Sequence, residues 1–379
     1  MSRLHSKLFE PLALADGITL RNRVVMSPMT TWSATEDLQV STAEEAYYRR
    51  RAKDIGLVIT GCAQVTASGI GFPNGFSATD DCFIPGLRRL AMAAKSGGAP
   101  AILQLYHAGN KARPELVPNG DVVSASAVPT IASSFSLALT PRALQADEIE
   151  QIVVAFGDAT RRAIEAGFDG IELHAAHGLL MQNFLSPTAN IRQDKWGGSL
   201  ENRMRFPLAI VTQVSHVIAL HADRPFVLGV RLSPEESDGY RIDQTFAFVD
   251  RLLEQGVDYI HVSLASLLDD RPYDDPDGAL TITRVVERVA GRVPVLAAGA
   301  IQTPEQAEQA LETGISGVAI GRGIIIDPDW VDLAHSAREV ETELDPAKIS
   351  ALEIPQNLWE KIQDAPGWVP LKDVQVASS

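Results

Sequence analysis

In Gly170-Ile-Glu-Leu-His174-Ala-Ala-His177-Gly178 a short apolar run ends in two histidines, with only alanines between them. The run has the length and character of a buried strand. Imidazoles at the mouth of such a strand are placed for chemistry. Alone, the feature is ambiguous. It gains meaning because the other short apolar runs of the chain also end in polar or glycine-rich tips.

Those runs, in order, are Arg23–Met29, Gly56–Gly61, Ala101–Tyr106, Gly170–His174, Pro225–Leu232, Tyr259–Ser263, Val293–Ala298 and 317–321. Most are continuously apolar rather than alternating, as expected for parallel strands covered on both faces. Helical patterns lie between them. The segment 147–166 puts Ile149, Ile152, Val153, Phe156 and Ile164 on one face and stops at Gly167. The segment 245–255 stops at Gly256, and 304–313 stops at Gly314. Glycine ends each helix and the next strand follows at once. Strands alternating with helices in this number predict a (β/α)₈ TIM barrel. The rival is a doubly wound sheet. It wants a glycine-rich fingerprint after its first strand, and none follows Met29.

Outside the alternation, Leu8–Leu20 reads as a hairpin turning at Asp16-Gly17, expected to plug the N-terminal end. Between Gly109 and Asp147, after the third strand, runs a long loop with no clear helix, expected as a lid or subdomain over the active face. Residues 1–340 are expected to form the barrel, and 341–379 a polar tail packed on it or on a neighbouring subunit.

Composition narrows the function. The chain has 379 residues, 45% hydrophobic and 21% charged, with a net charge of −15. An acidic balance argues against a duplex nucleic-acid partner. No run approaches the ~20 apolar residues that cross a bilayer, and Met1–Lys7 lacks the apolar segment of a signal peptide. Two cysteines, Cys62 and Cys82, build neither a disulfide framework nor an iron–sulfur cluster. The expected compartment is the reducing cytoplasm.

In a TIM barrel the active site lies at the C-terminal ends of the strands. The tips deliver Ser27-Pro28-Met29-Thr30, Cys62-Ala63, Gln104 and His107, His174 and His177, Arg231, Ser263, Gly299-Ala300 and Gly321-Arg322-Gly323. After the last two strands, glycines and an arginine suit either a phosphate seat or a tight structural turn. Gln104 offers a donor and an acceptor together, as an imide-like ring edge requires. Arg231 suits an ion pair or an anion. The histidines have three readings. As zinc ligands they lack a third partner; the others are satisfied core residues and hydrogen-bond donors to a substrate oxyanion. No metal site is expected.

These tips, with Asn22-Arg-Val-Val-Met-Ser-Pro-Met-Thr30, 46–52, Leu103-Gln104-Leu-Tyr-His107, Asn183-Phe-Leu-Ser-Pro187, Trp196-Gly-Gly-Ser-Leu-Glu-Asn-Arg203 and Ile320-Gly-Arg-Gly323, resemble the Old Yellow Enzyme family of FMN-dependent ene-reductases. The likeness runs from Leu8 to Pro328 and is nearest the bacterial xenobiotic-reductase-like branch, although Thr30 stands where that branch often has cysteine. It implies FMN held by Ser27, Pro28, Met29, Thr30, Ala63, Gln104, Arg231, Gly299, Gly321 and Arg322. It implies His174 and His177 as catalytic residues binding the substrate carbonyl, with Trp32 and Leu179 also facing substrate. It makes Trp196–Arg203 structural, its charged pair tying a loop to the barrel. Two positions depart from the family. Leu179 replaces the tyrosine that protonates the substrate α-carbon, and Trp32 replaces a second tyrosine.

The implied activity is hydride transfer from NADPH or NADH through FMN to the activated C=C of an α,β-unsaturated carbonyl. Quinones and nitro compounds are the alternative acceptors. Arg231 would favour the charge that reduction adds, worth roughly 4 kcal/mol at ~4 Å and an effective dielectric of ~20. The expected partners are small molecules and at most a second copy of the chain, as a homodimer. Two other classes compete: an aldolase or isomerase acting on a phosphorylated substrate, and a passive flavin-binding protein. The first lacks a strand-tip lysine.

Overall fold

The computed structural model describes residues 7–132 and 136–372. The remainder, including 373–379 of the expected tail and 133–135 of the expected lid, lies outside the described residues. The chain opens with the antiparallel hairpin β1 (Leu12–Ala15) and β2 (Ile18–Leu20), whose turn Gly17 enables at φ 78°. There follow β3 (Val24–Met26), α1 (Thr42–Arg51), β4 (Leu57–Gln64), α2 (Ile84–Ala94) and β5 (Ala101–Tyr106). The long connection carries only single helical turns and the short parallel pair β6 (Val123–Ser124) and β7 (Arg142–Ala143). Then come α3 (Ala146–Ala166), β8 (Gly170–Ala175), α4 (Leu180–Leu185), α5 (Leu200–His221), β9 (Val227–Leu232) and α6 (Ile242–Glu254). Next are β10 (Tyr259–Ser263), α7 (Thr281–Val289), β11 (Val295–Ala298), α8 (Pro304–Glu312) and β12 (Gly317–Ile320). Three short helices finish the chain: α9 (Arg322–Ile326), α10 (Trp330–His335) and α11 (Gln356–Asp364).

The strands β3, β4, β5, β8, β9, β10, β11 and β12 pair in that order, all parallel, and close on themselves. This is the TIM barrel that the alternation predicts, and closure excludes the doubly wound sheet. The strand limits differ slightly from the sequence reading, for local reasons. β3 stops at Met26 because Pro28, two residues on, has no N–H for a ladder. β9 and β11 likewise begin after Pro225 and Pro294.

Side-chain alternation gives each strand two jobs. The outward set, among it Ile171, Leu173, Val230, Leu232, Ile260 and Val262, packs against Phe156, Ile210 and Phe248 of the helices. The inward set is apolar in its lower half. Val25, Leu57, Ile59, Ile102, Val227 and Leu296 form a second cluster with Leu12, Leu14 and Leu20 of the hairpin. Each buried leucine contributes about 1.5–3 kcal/mol, and the hairpin closes the N-terminal end. The upper half is polar: Gln104, Glu172, Arg231 and His261 are buried inside the cylinder. An apolar floor and a polar mouth follow from one strand pattern.

One expectation is corrected here. Among the described residues Arg203 forms no ion pair. Its guanidinium donates to the carbonyls of Leu185 and Gly198 and to Gln244 Oε1, at 2.7–2.8 Å, which still ties the loop to α4 and α6. The tail crosses the C-terminal face. Asn357 donates to the Trp32 carbonyl at 2.8 Å, and the Trp368 and Trp32 rings meet edge to face at 5.8 Å.

Helix ends offer a paired test. Gly167 caps α3 in the left-handed region at φ 92°, with open space around it. Ala290 caps α7 in the same region at φ 54°, where alanine is strained. We expect Gly167→Ala to destabilise by about 1–2 kcal/mol and Ala290→Gly to stabilise slightly. Urea unfolding midpoints check both, and equal effects of one sign would contradict the argument.

Candidate functional site

β8 carries the centre of the site. Its inward residues are Glu172 and then His174, and its tip turns back through His177. Ladder register places Gln104 of β5 beside Glu172, and Arg231 of β9 beside His174. These side chains therefore stand at neighbouring heights on one inner wall.

His174 is buried, and its Nδ1 accepts the N–H of Ala176 at 3.3 Å. An accepting Nδ1 leaves the neutral ring protonated at Nε2. His177 sits at the rim in a left-handed conformation, φ 59°, which is unusual outside glycine. Three contacts hold it there. Its N–H donates to Ser233 Oγ at 3.1 Å, its carbonyl accepts from Lys111 Nζ at 2.6 Å, and its Nε2 meets Ser263 Oγ at 2.8 Å. Strain held by surrounding contacts is typical of functional positions. The two rings stand 5.0 Å apart at 77°. Loss of water lowers both imidazole pKa values well below the ordinary range, and the charges of Arg231 and Lys111 act in the same direction. Both rings are neutral donors at physiological pH, suited to a carbonyl oxygen.

Arg231 Nη2 donates to Ser263 Oγ at 3.0 Å, while Arg231 Nε is buried and has no hydrogen-bond partner among the described residues. Ser263 thus joins the guanidinium to His177. The sequence reading noted Ser263 as a strand tip and gave it no role. The available signal was its place on β10, directly above the inward-facing His261.

The other expected residues fall around this centre. Ser27, Pro28, Met29 and Thr30 form the loop after β3. Ser27 N donates to Ile320 O at 2.9 Å, and a Cβ at Gly321 would lie 3.0 Å from Met29 Sδ, so the tips of β3 and β12 touch. Thr30 Oγ1 lies 4.0 Å from Cys62 Sγ. Burial pushes the Cys62 thiol up to about 12, so it is no nucleophile. Ala63 points its methyl into the outer core, leaving only its backbone for the mouth, and Cys62 takes the mouth side. Gly299 is explained within the protein, since a Cβ there would sit 2.5 Å from Leu267 N. Arg322 Nη1 donates to the Trp368 carbonyl at 3.1 Å.

Trp32 packs edge to face on Phe72 at 6.0 Å. Leu179 is buried among Cys62, Ile70, Tyr106, Val117 and Val122, where the long loop closes over it. Tyr106 is fully buried and its hydroxyl accepts the Gly71 N–H at 3.1 Å. Tyr273 is 57% exposed and, with His177, Ser233, Ser263 and Arg271, lines a cavity of about 470 Å³. No described helix is long and apolar enough to cross a membrane.

The fold and the site define a TIM barrel with a polar mouth at the C-terminal ends of its strands, where two histidines stand beside a buried glutamine and arginine. The family model for the NADH:flavin oxidoreductase / NADH oxidase family matches residues 7–341, and the chain belongs to that family, which includes the Old Yellow Enzymes. The match removes the aldolase or isomerase reading. The chain is 41% identical to "Probable NADH-dependent flavin oxidoreductase YqiG" of Bacillus subtilis (strain 168), over 98% of this chain and 100% of that one. It is 38% identical to NADH:fumarate oxidoreductase of Klebsiella pneumoniae (strain 342), over 94% of this chain but only 39% of that protein. Among solved structures, morphinone reductase in complex with tetrahydroNAD superimposes with a TM-score of 0.77 at 28% identity, covering 93% of this chain and 98% of that one.

Ser263 supplies the test of this geometry. Ser263→Ala frees His177 from its anchor and should weaken phenol binding by about 0.5–1.5 kcal/mol. Because both imidazoles stay neutral, affinity for an uncharged enone should be flat between about pH 6 and pH 8. Isothermal titration across that range checks both statements, and a step near pH 6.5 would show that a histidine titrates.

Proposed function

We propose that this chain is an FMN-dependent NAD(P)H oxidoreductase that reduces electron-poor acceptors, chief among them α,β-unsaturated carbonyl compounds. The observation that carries the reading is the register of His174 against Arg231, with Ser263 linking Arg231 to His177. It sets a pair of carbonyl-directed donors next to a pair of ring-directed groups.

The residues present fit FMN. Gln104 Nε2 is committed to Glu172 at 2.7 Å, which leaves Oε1 as the end that accepts from an imide N–H. Arg231 Nε is a buried donor with no hydrogen-bond partner among the described residues. The loop 27–30 and Gly321 lie together, bringing main-chain groups of β3 and β12 to one place. Bound there, the flavin would supply hydride storage between NAD(P)H and the acceptor. His174 and His177 hold the acceptor's oxygen and polarise the conjugated bond through it. Ser233, Ser263 and Lys111 keep His177 in place.

Leu179 shapes the choice of acceptor. A leucine donates no proton, and Tyr106 is buried with its hydroxyl engaged. Tyr273, on the cavity rim, and water are candidate proton sources. Among α,β-unsaturated carbonyl compounds this favours quinones and strongly activated alkenes over simple enones, since a positioned acid contributes about 10²–10⁴-fold.

Four measurements test the proposal. The purified protein should be yellow, bleach with NADH or NADPH without oxygen, and recover colour on adding an acceptor. A colourless protein that takes up no FMN would overturn it. His174→Ala and His177→Ala should retain flavin and its reduction while losing about 1.5–3 kcal/mol of phenol affinity; Arg231→Ala should lower the flavin midpoint. Leu179→Tyr should speed flavin reoxidation by cyclohexenone in stopped flow. Fast reoxidation in the unmodified protein, abolished by Tyr273→Phe, would show instead that the rim tyrosine is the acid.

A further inference from the structure

Beneath the mouth lies the buried carboxylate that engages Gln104. Glu172 is fully buried inside the barrel. Its Oε1 accepts from Gln104 Nε2 at 2.7 Å. Its Oε2 accepts from Tyr259 OH at 3.0 Å and from His261 Nδ1 at 2.8 Å. Three donors on one carboxylate are a built arrangement, because a buried charge without partners is costly. The backbone makes room for it. Gly229 is the register partner of both Glu172 and Tyr259, and a Cβ there would lie 2.0 Å from the Tyr259 ring. Only glycine at 229 lets the phenol cross to the carboxylate.

The protonation pattern is consistent. Burial alone would raise the Glu172 pKa, but His261, Arg231 and Gln104 outweigh it and hold it below the usual value. Burial lowers that of His261, so its ring is neutral, with Nδ1–H donating to Glu172 and Nε2 left without a partner. The cluster therefore carries one negative charge beside the positive charge of Arg231.

We infer that Glu172 is a positioning residue for the flavin: it fixes the Gln104 amide with its oxygen toward the cofactor, and its negative charge offsets Arg231 and so sets the flavin's reduction potential. This rests on the flavin reading above. Without Glu172, the Gln104 amide is free to turn over and present its NH₂ where an acceptor is needed. Without the negative charge, Arg231 acts uncompensated and reduction becomes easier.

The experiment uses the full-length holoprotein and two variants. Glu172→Gln keeps the shape and removes the charge. Its flavin should be at least tenfold easier to reduce, a midpoint rise of about 30 mV for the two-electron couple. Glu172→Asp keeps the charge and withdraws it from Gln104. Its midpoint should stay at that of the unmodified protein, while its FMN dissociation constant rises severalfold. If Glu172→Gln does not fold, the aspartate variant alone still tests the amide anchor. Thermal unfolding of the apoproteins reports any purely structural loss. Flavin bound with both midpoint and affinity unchanged in the variants overturns this inference and leaves the proposed function standing. An unmodified protein that binds no flavin overturns both.

Discussion

The carboxylate of Glu172 is the constraint around which the mouth of the barrel is arranged. A buried charge must be paired or hydrogen-bonded, and its donors come from β5 and β10, on either side of β8 and β9. Satisfying it dictates a glutamine on β5, a glycine on β9, and a tyrosine and a histidine on β10. The same register lifts Arg231 and His174 to the next level, where ligands enter. The arrangement needs the register of four consecutive strands, with glycine at 229 between Glu172 and Tyr259.

Below that level the protein is an ordinary apolar core. The hairpin at the N-terminal end seals the cylinder with leucines, and the helices cover the outer face. Apolar packing at one end allows polar, strained geometry at the other. His177 in its left-handed conformation and Trp32 at φ 50° both lie on the functional face, each held by contacts from other segments.

Leu179 shows how a local substitution changes chemistry without changing the fold. Its side chain completes an apolar patch with Tyr106, Cys62 and the long loop. The patch excludes water from one side of the mouth. A cavity of about 470 Å³ lies beside His177, with Tyr273 on its edge.

The order of strands and helices was legible in the sequence because continuous apolar runs and helix-ending glycines are local signals. Gly167, Gly256 and Gly314 each adopt the positive φ that their position implied. The strand tips were legible too, since barrel chemistry gathers at C-terminal ends. The family likeness added expected roles for His174, His177, Gln104 and Arg231. What local pattern cannot encode is which distant side chains meet. Ser263 between Arg231 and His177, the three donors on Glu172, the outward-facing methyl of Ala63, and the Trp368 carbonyl on Arg322 all depend on register between strands or on the path of the tail. A one-residue change in register would turn every inward side chain outward. The sequence by itself determined the barrel and the kind of groups at its mouth; closure and register decided which of them touch.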